Sequence, residues 1–238
     1  MKMAASPSSA RPHERSRGFT RKELLVVVCV IVGLLFVAFA LRDFAKYARA
    51  NADRIRCANN LKSVGLGFRI FANDHDDKYP FTFDPNGATN PAYRNETEAW
   101  VHFQVLSNTF PSVKEFAGID ASVLTCDADQ ERLKNRTKDF AELATKRNEA
   151  ISYFVGLTAD ERKPMLLLAG DRCVGTNQFL QGNVLTLKPG DTLSWDQSFH
   201  RVGGSFGVNV TLADGSVEQL NEWVGIKETN RLLLPLLP

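Results

Sequence analysis

The run from Leu24 to Leu41, LLVVVCVIVGLLFVAFAL, holds no charged residue and no proline. As a helix, its roughly 18 residues at about 1.5 Å each reach about 27 Å, just enough to cross the hydrocarbon core of a bilayer. Ahead of it Lys2, Arg11, Arg15, Arg17, Arg21 and Lys22 outnumber Glu14 and Glu23, a bias that places the N-terminus in the cytoplasm and the remaining chain outside. A secretory signal peptide has a shorter apolar core, about 7 to 15 residues, followed by a small-x-small cleavage site. Here the run ends in Phe39, Ala40, Leu41 and Arg42, so removal at that point is not expected. A plain signal anchor explains the length and the flanking charges. It does not explain Glu23 at the mouth of the run, or Gly18-Phe19 before it.

The apolar run fixes one end of the chain, and periodicity carries the helix further. Beyond Arg42, the residues Cys57, Leu61, Val64, Phe68 and Phe71 recur at spacings of four, three, four and three, the repeat of one helical face, while Arg54, Arg56, Lys62 and Arg69 fall on other faces. No proline intervenes before Pro80, so one helix is expected from about Leu24 to Ala72, locally weakened by Gly65 and Gly67. Its apolar stripe requires a sheet to pack on. The 238 residues leave room for one ordinary domain beyond the anchor. With 29 basic and 27 acidic residues the net charge is only +2, which gives no global field for nucleic acid or an acidic substrate.

A short basic leader, then Gly18, Phe19, Thr20, two further residues, Glu23 and a long apolar run together resemble the N-terminus of type IV prepilins and type II secretion pseudopilins. The resemblance implies that a membrane-embedded prepilin peptidase cuts after Gly18, that Phe19 becomes the N-methylated first residue, and that Glu23 is the fifth. It also implies a role for Glu23 in subunit assembly: an unpaired carboxylate at membrane depth costs several kcal/mol, and a neighbouring subunit's terminal ammonium offsets that cost. Arg21 and Lys22 stand where the family usually has apolar residues, and either cation can neutralise Glu23 within its own chain. The stretch RCANNLKSVGLGFRIFANDHDDKYP, Arg56 to Pro80, is similar to the C-x-N-N-L-K-x-x-G helix and Asp/Asn-rich turn of bacterial pseudopilin-like proteins with extended C-terminal domains. Ser152-Tyr153 and the hairpin Ala213-Asp214-Gly215-Ser216-Val217 fit that group, whereas Cys126-Asp127 lacks its usual proline.

The implied architecture is α+β and pilin-like: a leader over 1–18, a helix over 19–72 whose first half spans the membrane at 24–41, and a β-rich extracytoplasmic domain over 73–238 with loop-rich insertions. Phe83 to Asn95 reads as a turn-rich connection. Asp127 to Ala150 reads as a solvated, partly helical insertion. Strands are expected at AISYFVGL and PMLLLAGD, and the alternation of Val208, Val210 and Leu212 with Asn209 and Thr211 before Asp214-Gly215 is an antiparallel hairpin signature.

Three local patterns invite chemistry. GGSFG, Gly203 to Gly207, has the spacing of a nucleophile elbow around Ser205, with His200 and Asp171 as conceivable triad partners. That elbow needs a strand before and a helix after, and an alternating strand follows instead, so no enzyme is expected and His200 reads as a loop or packing histidine. Asn73, Asp74, Asp76 and Asp77 offer oxygen ligands for calcium, against which stands a plain polar turn ending the helix; no metal or other cofactor is expected. Of the four cysteines, Cys29 lies in the apolar run, and Cys57, Cys126 and Cys173 face an oxidising compartment if the topology holds. Spacing does not choose their pairing; Cys57 with Cys126 is favoured because it would tie the helix to the outer domain.

The leading functional expectation is a non-enzymatic pseudopilin subunit of a type II secretion or related system. It would sit in the inner membrane with the prepilin peptidase, other pilin-like subunits, the assembly platform and lipid as partners. The alternatives are a membrane-tethered domain binding carbohydrate or another envelope ligand, and an anchored hydrolase using Ser205.

Overall fold

A single helix, α1, spans Arg21–Asn73. The computed structural model of the chain describes residues 20–82, 97–107, 119–174, 180–195, 200, 207–220 and 224–236, so Gly18, Phe19, Ser205 and the connection 83–96 lie outside the described residues. The chain divides into two compact units, Met1–Ala45 and Lys46–Pro238.

In the first unit the described residues are the start of α1. Its large apolar side chains from Leu24 to Phe44 are exposed, Phe36 at 74%. A continuous apolar surface of this kind is not kept bare in water, and the helix is long and apolar enough to cross a membrane.

In the second unit α1 buries the stripe its periodicity predicts: Cys57, Leu61, Val64, Phe68, Phe71 and Ala72. The stripe covers an antiparallel sheet in the order β3-β4-β9-β1-β2-β6-β7. Its strands are β1 (Tyr153–Gly156), β2 (Leu167–Asp171), β3 (Leu180–Gln181), β4 (Val184–Leu187), β6 (Val208–Leu212), β7 (Val217–Leu220) and β9 (Asn230–Leu233). A separate two-stranded pair joins β5 (Thr192–Leu193) to β8 (Val224–Gly225). The hairpin expected at Asp214-Gly215 links β6 and β7 in the register Thr211↔Val217 and Val208↔Leu220. Gly215 takes φ +83, a value that L side chains rarely adopt, and the Asp214 carboxylate accepts from the Ser216 amide at 2.8 Å.

Gly65 turns out to be an approach point as well as a helix weakener. A Cβ there would sit 2.6 Å from Thr211 Cγ2 and 3.7 Å from the Gly215 Cα, so its absence lets α1 lie against the hairpin. Three polar contacts fix the same junction: Thr211 Oγ1 donates to the Leu61 carbonyl at 3.3 Å, Arg69 donates to the Asp214 carbonyl at 2.8 Å, and the Tyr79 hydroxyl donates to the Ala213 carbonyl.

Strand β6 is covered on both faces, all five of its residues being buried. Its polar positions Asn209 and Thr211 face α1, bonded to the Arg54 and Leu61 carbonyls, rather than solvent. The stretch from Asp127 to Ala150 is partly helical and largely solvent-facing, as expected, but it is anchored by a few buried residues. It forms 3-10 turns at Leu133–Asn135 and Arg147–Ala150 and a short helix, Phe140–Lys146, and it buries Asp129, Arg132 and Leu143. Asp129 survives burial because Arg172 grips it at 2.7 and 3.0 Å in a bidentate pair.

Candidate functional site

The N-terminal site is described from Thr20 onward. The Thr20 amide donates to Glu23 Oε2 at 2.8 Å, and the Glu23 amide donates to Thr20 Oγ1 at 3.3 Å. This reciprocal pair is a capping box, in which a Thr and a Glu three residues on satisfy each other's otherwise orphaned amides at a helix start. Glu23 therefore has a local task that the sequence reading did not assign, although the Thr-x-x-Glu spacing was there to be read. One such bond leaves most of a carboxylate's acceptor capacity unused.

The oxygen-rich turn after α1 is an exposed polar turn closed by the backbone. Asp76 and Asp77 both have φ 56, and the Asp77 amide closes on the Ala72 carbonyl at 3.0 Å. Asp74, Asp76 and Asp77 are all exposed, and they are not gathered as a three-ligand group. The His75 ring stacks on Phe71 at 3.8 Å, which finishes the helix end as a packed turn.

A second constellation is buried in the outer unit. Cys57 on α1 and Cys126, just past the 3-10 turn Ala121–Leu124, are joined as a disulfide with Cα atoms 5.1 Å apart; Cys29 and Cys173 keep their thiols. Against the disulfide lies His200, whose Nε2 is 3.4 Å from Cys126 Sγ and 3.3 Å from Asp171 Oδ2. Asp171 ends β2, and its Oδ2 accepts from the Asn209 backbone amide at 2.7 Å and side-chain amide at 3.2 Å. The His200 and Asp171 side chains have no exposed surface.

The electrostatics follow from this burial. Tyr153 is pushed well above its ordinary value, first by burial and then by the Asp171 charge. Burial lowers the Arg54 value, and the Asp171 carboxylate opposes that shift. His200 is a loop residue with a packed side chain, as expected, and the structure brings it together with Asp171 in an enclosed place beside a disulfide. Sequence reasoning placed Asn209 in an alternating strand and Arg54 off the apolar face of the helix but gave neither a part in this group, because nothing in spacing reveals which polar residue of a strand meets a helix. Compared with family models, curated proteins and solved structures, the chain matches none.

Proposed function

We propose that the chain is a pilin-like, non-enzymatic subunit, held in the inner membrane by the first half of α1 and cut after Gly18 by a prepilin peptidase before joining a filament of a secretion-type machine. The observation that carries this reading is continuity. The Gly18-Phe19 junction leads within two residues into one helix, Arg21–Asn73, whose early side chains are bare and whose later face is built into an antiparallel sheet. Such a helix serves storage in lipid first and a helical filament core afterwards, with the outer domain displayed.

The direct test is the N-terminal residue of the membrane-extracted protein, read by mass spectrometry in cells with and without their prepilin peptidase. The expected result is N-methylated Phe19 in the first and an intact leader in the second. An intact leader in both would leave a signal-anchored binding domain as the better reading.

Glu23 now carries two roles that a pair of substitutions separates. Cutting before Phe19 leaves the Thr20 amide in place, so the capping box survives while Phe19 gains an ammonium. Glutamine serves a capping box as well as glutamate does, but it carries no charge. Glu23→Gln is therefore expected to keep insertion and cleavage and to abolish most subunit-to-subunit crosslinking, the same loss expected of Glu23→Ala. Wild-type crosslinking in Glu23→Gln with loss in Glu23→Ala would assign the residue to its cap alone.

A further inference from the structure

Strand β6 turns Asn209 and Thr211 toward α1, so its alternate residues Val210 and Leu212 point to the other side of the sheet. There, with Leu167 of β2 and with Ile226, they line a cavity of about 180 Å³, and all four are buried. Met165 and Leu220 add apolar lining that is open to solvent, Met165 being 58% exposed. The cavity is held open by polar contacts on its border. Buried Asn230 accepts from the Leu167 amide at 3.0 Å and donates to the Glu228 carbonyl at 2.9 Å, and the Glu228 carboxylate pairs with Lys163 at 2.8 Å.

Two charged residues of the lining have no such task. Glu218 lies directly across from Val210 in the β6–β7 register, on the same face of the sheet, and Lys227 follows Ile226. Both are exposed, and neither makes a hydrogen bond or ion pair among the described residues. We propose that this cavity binds a free α-amino acid with a branched or aromatic apolar side chain, its ammonium on Glu218 and its carboxylate on Lys227.

Size sets the first limit on the ligand. An apolar cavity of about 150 Å³ holds one benzene, whereas sites for drug-sized molecules begin at about 300 Å³. The 180 Å³ here suits one side chain such as that of leucine or phenylalanine, and it is too small for a lipid chain or an oligosaccharide. The unbranched Met165 side chain can adjust to either shape.

Charge sets the second limit. A bare hydrocarbon leaves Glu218 and Lys227 both unanswered, and a ligand with a single charge answers one of them. A zwitterion answers both, through charge-assisted hydrogen bonds of opposite sense. Glu228 does not compete for the ammonium, because Lys163 already holds it. The site lies wholly in the outer unit and depends on neither N-terminal processing nor filament assembly.

The test uses the full chain in lipid nanodiscs, with binding read by calorimetry and by the rise in Tm that a ligand of the folded state produces. The probes are L-leucine and L-phenylalanine, together with isocaproate, which is leucine without its ammonium, and isopentylamine, which is leucine without its carboxylate. At least one of the two amino acids is expected to bind saturably at about one equivalent, and the two truncated relatives about tenfold more weakly than leucine, as loss of one charged hydrogen bond implies. Glu218→Gln and Lys227→Gln, at exposed positions whose replacement spares the fold, should each weaken amino-acid binding about tenfold as well. The assignment of each end is read from the crossed pairs: Glu218→Gln should not weaken isocaproate further, and Lys227→Gln should not weaken isopentylamine further. Failure of both amino acids to bind, toluene binding as well as they do, or affinities unchanged in both variants would each overturn the proposal and leave a gap in the packing.

Discussion

A chain carrying both Cys57→Ser and Cys126→Ser should melt about 8 to 16 °C below the wild type, the shift that about 4 kcal/mol produces in a domain of this size. The figure comes from the loop the disulfide closes. Cys57 and Cys126 are separated by 69 positions, and constraining an unfolded chain over such a loop is worth about 4 kcal/mol. Burial adds to the cost, because both sulfurs are fully enclosed and replacing them with hydroxyls puts unsatisfied polar groups beside His200 and Asp171. Paired melts of the oxidised wild type, the reduced wild type and the double variant check this. If all three coincide, the covalent link contributes nothing and α1 is held by its apolar stripe and its polar contacts to the hairpin. If the reduced wild type and the variant fall together, the loss belongs to the link itself.

The sequence made two parts of this architecture legible and concealed others for identifiable reasons. Helix α1 was readable because Cys57, Leu61, Val64, Phe68 and Phe71 repeat with the period of a helix, and all five are buried as that period requires. The β6–β7 hairpin was readable because Asp-Gly supplies a turn that few other pairs can make. The alternation in β6 was read correctly as a strand, but a period of two shows only that the faces differ, not what covers each. Asn209 and Thr211 meet the α1 backbone instead of water. His200 and Asp171 were legible together only as conceivable partners of Ser205; that they meet beside the disulfide depends on where β2 ends and on a loop residue at φ 47, which neither composition nor spacing encodes. At the N-terminus the reverse occurred. Thr20 and Glu23 spelled a capping box, but the letters that cap a helix are also those that the family resemblance assigns to assembly.

The remaining large effect is expected from one of the mildest substitutions available. Gly156→Ala adds a single methyl group at the end of β1, and an ideal Cβ there would lie 1.7 Å from the Leu167 carbonyl oxygen and 2.7 Å from its carbon. The obstacle is backbone, so no side-chain rotation relieves it. Either β1 or β2 must move, and both are central: β1 pairs with β2 and β9, and β2 pairs with β6, the strand under α1. Leu167 already sits at an irregularity in the β2–β6 register, and its amide is tied to Asn230 Oδ1 at 3.0 Å, so displacing it disturbs three neighbours at once. A cost of about 3 kcal/mol, the upper end for overpacking a buried site, is the expected result. Gly225→Ala provides the matched comparison, because its Cβ would meet nothing within 4 Å and its position on β8 is exposed. There the lost chain entropy of the unfolded state should leave stability unchanged or raise it by about 0.5 kcal/mol. Urea melts of the two variants under one condition compare them directly. A Gly156→Ala protein as stable as Gly225→Ala would mean that β1 and β2 do not approach as closely as 1.7 Å implies, and the sheet order around them would have to be redrawn.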